Sequence, residues 1–130
     1  MIRMAYQIQK LNRFIANNPA LADIPFGIVR GRSITPRQAL TMLQRGEAVS
    51  EVVAAMNQAG MDPIEQDWAL VEDYYRRLLQ LPAPHPKIYI IGQEMSLEEA
   101  LMHVRSRDAA GQEILRSYQG LTREMARRMK

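Results

Sequence analysis

The chain has 130 residues, 47% hydrophobic and 24% charged, with no cysteine. That length and balance describe one globular domain with apolar residues enough for a core, and the absence of cysteine excludes a disulfide framework and thiolate chemistry. The net charge of +3 conceals a segregation: residues 1–45 carry seven bases and one acid, residues 46–115 five bases and twelve acids, residues 116–130 five bases and one acid.

At the N-terminus, Met1, Met4, Ile8, Leu11 and Ile15 recur at spacings of three and four, which predicts an amphipathic helix over about residues 2–16. Charges at Arg3, Lys10 and Arg13 interrupt the region where a signal peptide needs an unbroken apolar stretch, so secretion is not expected. Asn17, Asn18 and Pro19 end the helix, because the residue before a proline avoids helical geometry.

A short β-capable piece follows at residues 27–30, bracketed by proline and glycine. Thr35 then offers an N-cap hydroxyl, and Pro36 occupies the first helical position, where a missing amide costs nothing. The helix buries Ala39, Leu40, Met42 and Leu43 and stops near Gly46; a second one carries Val49, Val52, Val53 and Met56 and closes at Gly60. Asp62 and Pro63 repeat the cap-then-proline start for a third, with Ile64, Trp68, Val71, Tyr75, Leu78 and Leu79 as its apolar stripe.

The prolines around His85 favour an extended connector into a second short strand, residues 87–91. Gly92 turns it, Ser96 caps the next helix, and Leu97, Ala100, Leu101 and Val104 form its buried face. A basic C-terminal helix over about residues 112–129 carries Ile114, Tyr118, Leu121, Met125 and Met129, with Gly120 as a weak point. The fold expected is mainly α, five or six amphipathic helices packed as one domain over residues 1–130, with a minimal two-stranded β element from residues 27–30 and 87–91. Its core should contain Leu40, Leu43, Val52, Val53, Met56, Trp68, Val71, Tyr75, Leu78, Leu101 and Val104.

Sliding the chain by 61 residues sets Gly31 on Gly92, Thr35 on Ser96 and Ala39-Leu40 on Ala100-Leu101. Only four of the 27 aligned positions from Ile28 to Ala54 are identical, so what recurs is a physical device rather than evident ancestry: a short strand, a glycine turn and a hydroxyl-capped helix.

Chemistry-bearing constellations are sparse. The stretch from Thr35 to Gly60, with Arg30, Arg32, Arg37 and Arg45 before or along it, has the outline of a helix-turn-helix, but its second helix would present Ser50, Glu51, Ala54 and Ala55 and no cation, and carboxylates repel phosphates. An ordinary αα-hairpin explains it better. His85 and His103 lack companions at metal-ligand spacing, and neighbouring acids such as Glu72-Asp73 and Glu98-Glu99 point to different sides of a helix. No catalytic residue, metal site or cofactor is therefore assigned.

The expected function is that of a non-enzymatic interaction or assembly subunit, packing into a larger complex or a homo-oligomer through its terminal helices and segregated charges. Met4, Ile8, Leu11, Tyr74, Arg77, Leu121, Met125 and Met129 are the candidate protein-interface residues. Arg30, Arg32, Arg37, Arg123, Arg127, Arg128 and Lys130 are candidates for an acidic partner or nucleic acid. Nucleic-acid binding is the alternative, and an enzyme whose site is shared between subunits the third reading. Because like patches repel across a two-fold axis, contacts between copies are expected to run head to tail. No apolar run approaches the roughly 20 residues of a membrane span. A cytoplasmic location, or one inside an intracellularly assembled particle, is expected.

Overall fold

The computed structural model describes residues 4–130. It is mainly helical: α1 (Met4–Asn17), α2 (Pro36–Arg45), α3 (Val49–Gln58), α4 (Ile64–Leu79), α5 (Leu97–Ser106) and α6 (Ala109–Met129), with a 3-10 turn at Pro19–Leu21. Four short strands complete it: β1 (Gly27–Val29), β2 (Arg32–Ile34), β3 (Ile88–Ile90) and β4 (Gln93–Met95). No helix among the described residues is long and apolar enough to cross a membrane.

The chain divides into two compact units where the sequence suggested one packed domain: residues 4–62 with 122–130, and Pro63–Leu121. Both carry the order helix, strand, strand, helix, helix, and the 61-residue offset holds through the element bounds of both hairpins and of α2 and α5. The two strands read from the sequence are present, but they do not pair with each other. Each folds back on the three residues beyond a two-residue turn, β1 on β2 (Gly27↔Ile34) and β3 on β4 (Ile88↔Met95), both antiparallel. A second strand of three residues is too short to show an alternating pattern, so the sequence presented it only as a turn and a cap.

Both turns place two successive residues at positive φ, Arg30-Gly31 (52° and 78°) and Ile91-Gly92 (52° and 70°). That is the geometry whose twist matches the flanking strands of a tight hairpin. Both following helices begin in reciprocal capping boxes. The Thr35 hydroxyl accepts from the Gln38 amide at 3.2 Å while the Gln38 side chain accepts from the Thr35 amide at 3.0 Å. Ser96 and Glu99 repeat the arrangement at 3.1 and 3.3 Å. The N-cap of α4 is Pro63 rather than the expected Asp62.

In the first unit Leu11, Phe14, Phe26, Leu43, Val52 and Met125 are buried, and α3 lies on β1. That approach needs Gly27, where a Cβ would stand 3.0 Å from the Ala55 methyl. In the second unit Trp68, Leu70, Val71, Leu97, Val104 and Ile114 are buried. Of the core expected from sequence, Leu40, Val53 and Leu78 are only half-buried and the other eight are buried. Helix α6 passes through Gly120 unbroken, and Gly111 lets its first turn meet the His103 carbonyl, a position any Cβ would overlap.

Candidate arginine groove

The stretch from Val29 to Glu47 folds into one concave surface of about 620 Å³ in the first unit. One wall is the β1–β2 hairpin, which supplies Arg30 from its turn and Arg32 from the strand after it. The opposite wall is α2, where Arg37, Thr41 and Arg45 succeed one another at intervals of four and so share a face. Val29 and Ile34 are buried beneath and Met42 is half-buried, giving the groove an apolar floor. The Thr35 capping box fixes where α2 starts, directly after the hairpin.

Four guanidinium groups line this groove against a single lining carboxylate, Glu47, among the described residues. Arg37 reaches Asp23 at 3.0 Å, while Arg30 to Glu51 and Arg45 to Glu47 are loose, at 3.8 and 4.0 Å. All of these side chains are exposed, and pairs of that kind contribute about 0–1 kcal/mol. Arg32 forms no ion pair among the described residues. The arrangement can therefore exchange its own weak pairs for the carboxylates of a ligand at little cost. No aromatic side chain among the described residues lines the groove, so they offer no platform on which unpaired bases would stack.

The structure thus brings together Arg30, Arg32, Arg37 and Arg45 on one surface. The C-terminal cations are disposed differently. Arg127 and Arg128 both clasp Glu124, holding its carboxyl down at about 2 by hydrogen bonds from Arg127 first and Arg128 second. Arg128 also donates to Asn18 at 2.7 Å. Arg123 is exposed, with its backbone against Gly60. Lys130, Arg128, Lys10 and Arg13 surround a hollow of about 60 Å³, room for about two waters.

The apolar stripes assigned to a partner require correction. Leu11, Met125 and Met129 are buried in the chain's own first unit, because a narrow stripe on a terminal helix satisfies a core as well as a partner. Met4 remains exposed, Ile8 and Leu121 are half-buried, and Met1 lies outside the described residues. Tyr74 is half-buried, 5.5 Å from the Tyr75 ring and 6.4 Å from Tyr118, and burial raises its hydroxyl pKa. Tyr75 is pushed further, to about 12, by burial and then by Tyr74. Arg77 donates to Asp73 at 2.7 Å.

The two histidines take up local roles. His103 Nδ1 lies 2.6 Å from Asp108, whose other oxygen accepts from the Gly111 amide, and these contacts, the amide first, hold the Asp108 carboxyl below its usual range. His85 Nε2 lies 2.7 Å from the Leu81 carbonyl. Arg107 grips Glu65 with two hydrogen bonds of 2.8 Å and lies 4.9 Å above the Trp68 ring.

Comparison with known families, with curated proteins and with solved structures gives no match.

Proposed function

We propose that the chain is a non-enzymatic interaction subunit whose arginine groove receives an acidic, partly apolar polypeptide segment and so carries the chain into a larger assembly. The observation that supports this is the convergence of Arg30, Arg32, Arg37 and Arg45 over an apolar floor. Guanidinium forks suit carboxylates in two-bonded geometry, and the floor supplies what charge alone does not, a place for a side chain to leave water. Terminal helices contribute less than their stripes suggest, since Leu11, Met125 and Met129 are buried in the chain itself.

Nucleic acid fits the same groove less well. Its rim includes Glu47, Glu51 stands beside Arg30, and α3 carries no lysine or arginine. The deciding measurement is fluorescence anisotropy with two probes at one moderate salt concentration, an acidic peptide containing leucines and a duplex of mixed sequence. The peptide is expected to bind, and Arg32→Glu to weaken it about tenfold or more, a loss of roughly 1.4 kcal/mol. Tighter binding of the duplex than of the peptide, lost in Arg32→Glu, overturns the reading in favour of a nucleic-acid protein.

A further inference from the structure

The groove has a counterpart. Shifted by 61 residues, the positions of Arg30, Arg32, Ser33, Arg37, Gln38 and Thr41 are occupied in the second unit by Ile91, Gln93, Glu94, Glu98, Glu99 and Met102. The backbone device is the same, a tight hairpin followed by a capped helix, but the basic surface has become an acidic and apolar one. Glu94 and Glu98 are exposed and form no ion pair among the described residues, and Glu99 serves the capping box.

This second face also holds apolar side chains that a folded chain ordinarily hides. Tyr89, Ile91 and Met102 are 72%, 67% and 65% exposed. Ile91 stands at the hairpin's tip, so it projects where Arg30 flanks a hollow. Among the described residues, no helix packs on β3 or β4 as extensively as α3 packs on β1.

We infer that the occupant of the arginine groove is the β3–β4 hairpin and the start of α5 from a second copy of this chain. The inference rests on the function proposed above and names its partner. Three features on each side correspond. The projecting Ile91 and Met102 match the apolar floor of Val29, Ile34 and Met42. The exposed Glu94 and Glu98 match Arg32 and Arg37, and a narrow two-stranded tip matches a groove walled by a hairpin and a helix. Opposite charges in such an interface set orientation and encounter rate, and the apolar contact supplies affinity. The contact joins different surfaces on the two copies, so repeated along a series of chains it generates a ring or an open filament.

The test uses the full chain, with mass measured by light scattering across concentration at low and high salt. The wild type is expected to self-associate at low salt and less at high salt. Arg32→Glu with Arg45→Glu, and separately Glu94→Lys with Glu98→Lys, should each weaken association about tenfold or more. Circular dichroism then establishes that both variants are folded. An equimolar mixture of the two variants should associate again, because each retains the face that the other has lost. Ile91→Asn should weaken association without altering net charge. A chain that stays monomeric, or one whose association ignores both charge reversals or is not recovered on mixing, overturns the inference. If the acidic peptide still binds in that event, the groove serves a different protein and the proposed function stands; if the peptide fails as well, both fall.

Discussion

The β1–β2 and β3–β4 hairpins share register, turn geometry and a capped helix behind them, yet the first strand of the first hairpin is buried at both ends and its counterpart only half-buried. The difference begins just before each hairpin. Pro25, Phe26 and Gly27 are buried ahead of the first turn, whereas their counterparts Pro86 and Lys87 are exposed and Ile88 is half-buried. Phenylalanine anchors the first hairpin, and glycine lets α3 approach β1. Lysine and isoleucine at the same places give the second neither anchor nor close approach. Local geometry thus follows from turn and cap residues, while coverage follows from a few side chains outside the repeated device.

The largest expected effect contrasts the two anchors. Phe26 is fully buried, so Phe26→Ala should cost about 3–5 kcal/mol of stability. Lys87→Ala, at the equivalent place, should change stability by less than about 0.5 kcal/mol. Urea titration of both variants checks this. Similar losses in the two would mean that the hairpins are equally embedded, and the contrast between them would collapse.

A second contrast sits where α3 and α6 begin. Gly111 and Ser50 are equivalent under the offset, but a Cβ on Gly111 would overlap the His103 carbonyl whereas Ser50 is exposed. The obstacle is backbone rather than a flexible side chain, so relief requires α5 and the start of α6 to separate. Gly111→Ala should cost about 1–3 kcal/mol or more, and Ser50→Ala should be near neutral. Thermal unfolding of the pair distinguishes them. A Gly111→Ala chain as stable as the wild type would show that the two helices do not meet as closely as the glycine implies.

These contrasts also show how far the sequence reaches. The helices were legible because each carries a stripe at three- and four-residue spacing, and the helix starts at Thr35 and Ser96 because a hydroxyl precedes Gln38 and Glu99 by three residues. The return strands were not, since three residues show no period. Nor did the stripes of α1 and α6 announce which side would cover them, because Leu11 and Met125 are equally suited to a core or a partner. In the groove, the sequence grouped Arg30, Arg32, Arg37 and Arg45 by proximity, but only the fold makes them one surface: eight residues of α2 return Arg45 to the face of Arg37, and the hairpin sets Arg30 and Arg32 opposite that helix. The acidic counterpart needed the offset and the exposure of Ile91 and Met102 together, and no single residue type signals it.

The smallest effect concerns the two turn tips. Both Arg30 and Ile91 hold φ of 52°, a left-handed conformation that costs an L-residue roughly 1–2 kcal/mol and suits a β-branched side chain least. Asparagine adopts it readily and leads a tight hairpin turn when glycine follows, as Gly31 and Gly92 do. Ile91→Asn should therefore raise stability by about 0.5–1 kcal/mol, and Arg30→Asn by less, since arginine is not branched at Cβ. Ile91 is exposed, so little burial is lost to offset that gain. The informative outcome is the pairing of signs. Ile91→Asn should strengthen the fold in a melting experiment while weakening association of copies in the mass measurement. A residue strained at a hairpin tip and exposed to water costs the fold stability, and the contact inferred with a second copy would give that cost a use. Were Ile91→Asn to leave stability unchanged or lower it, the tip would be unstrained, and the second hairpin would differ from the first only in its cover.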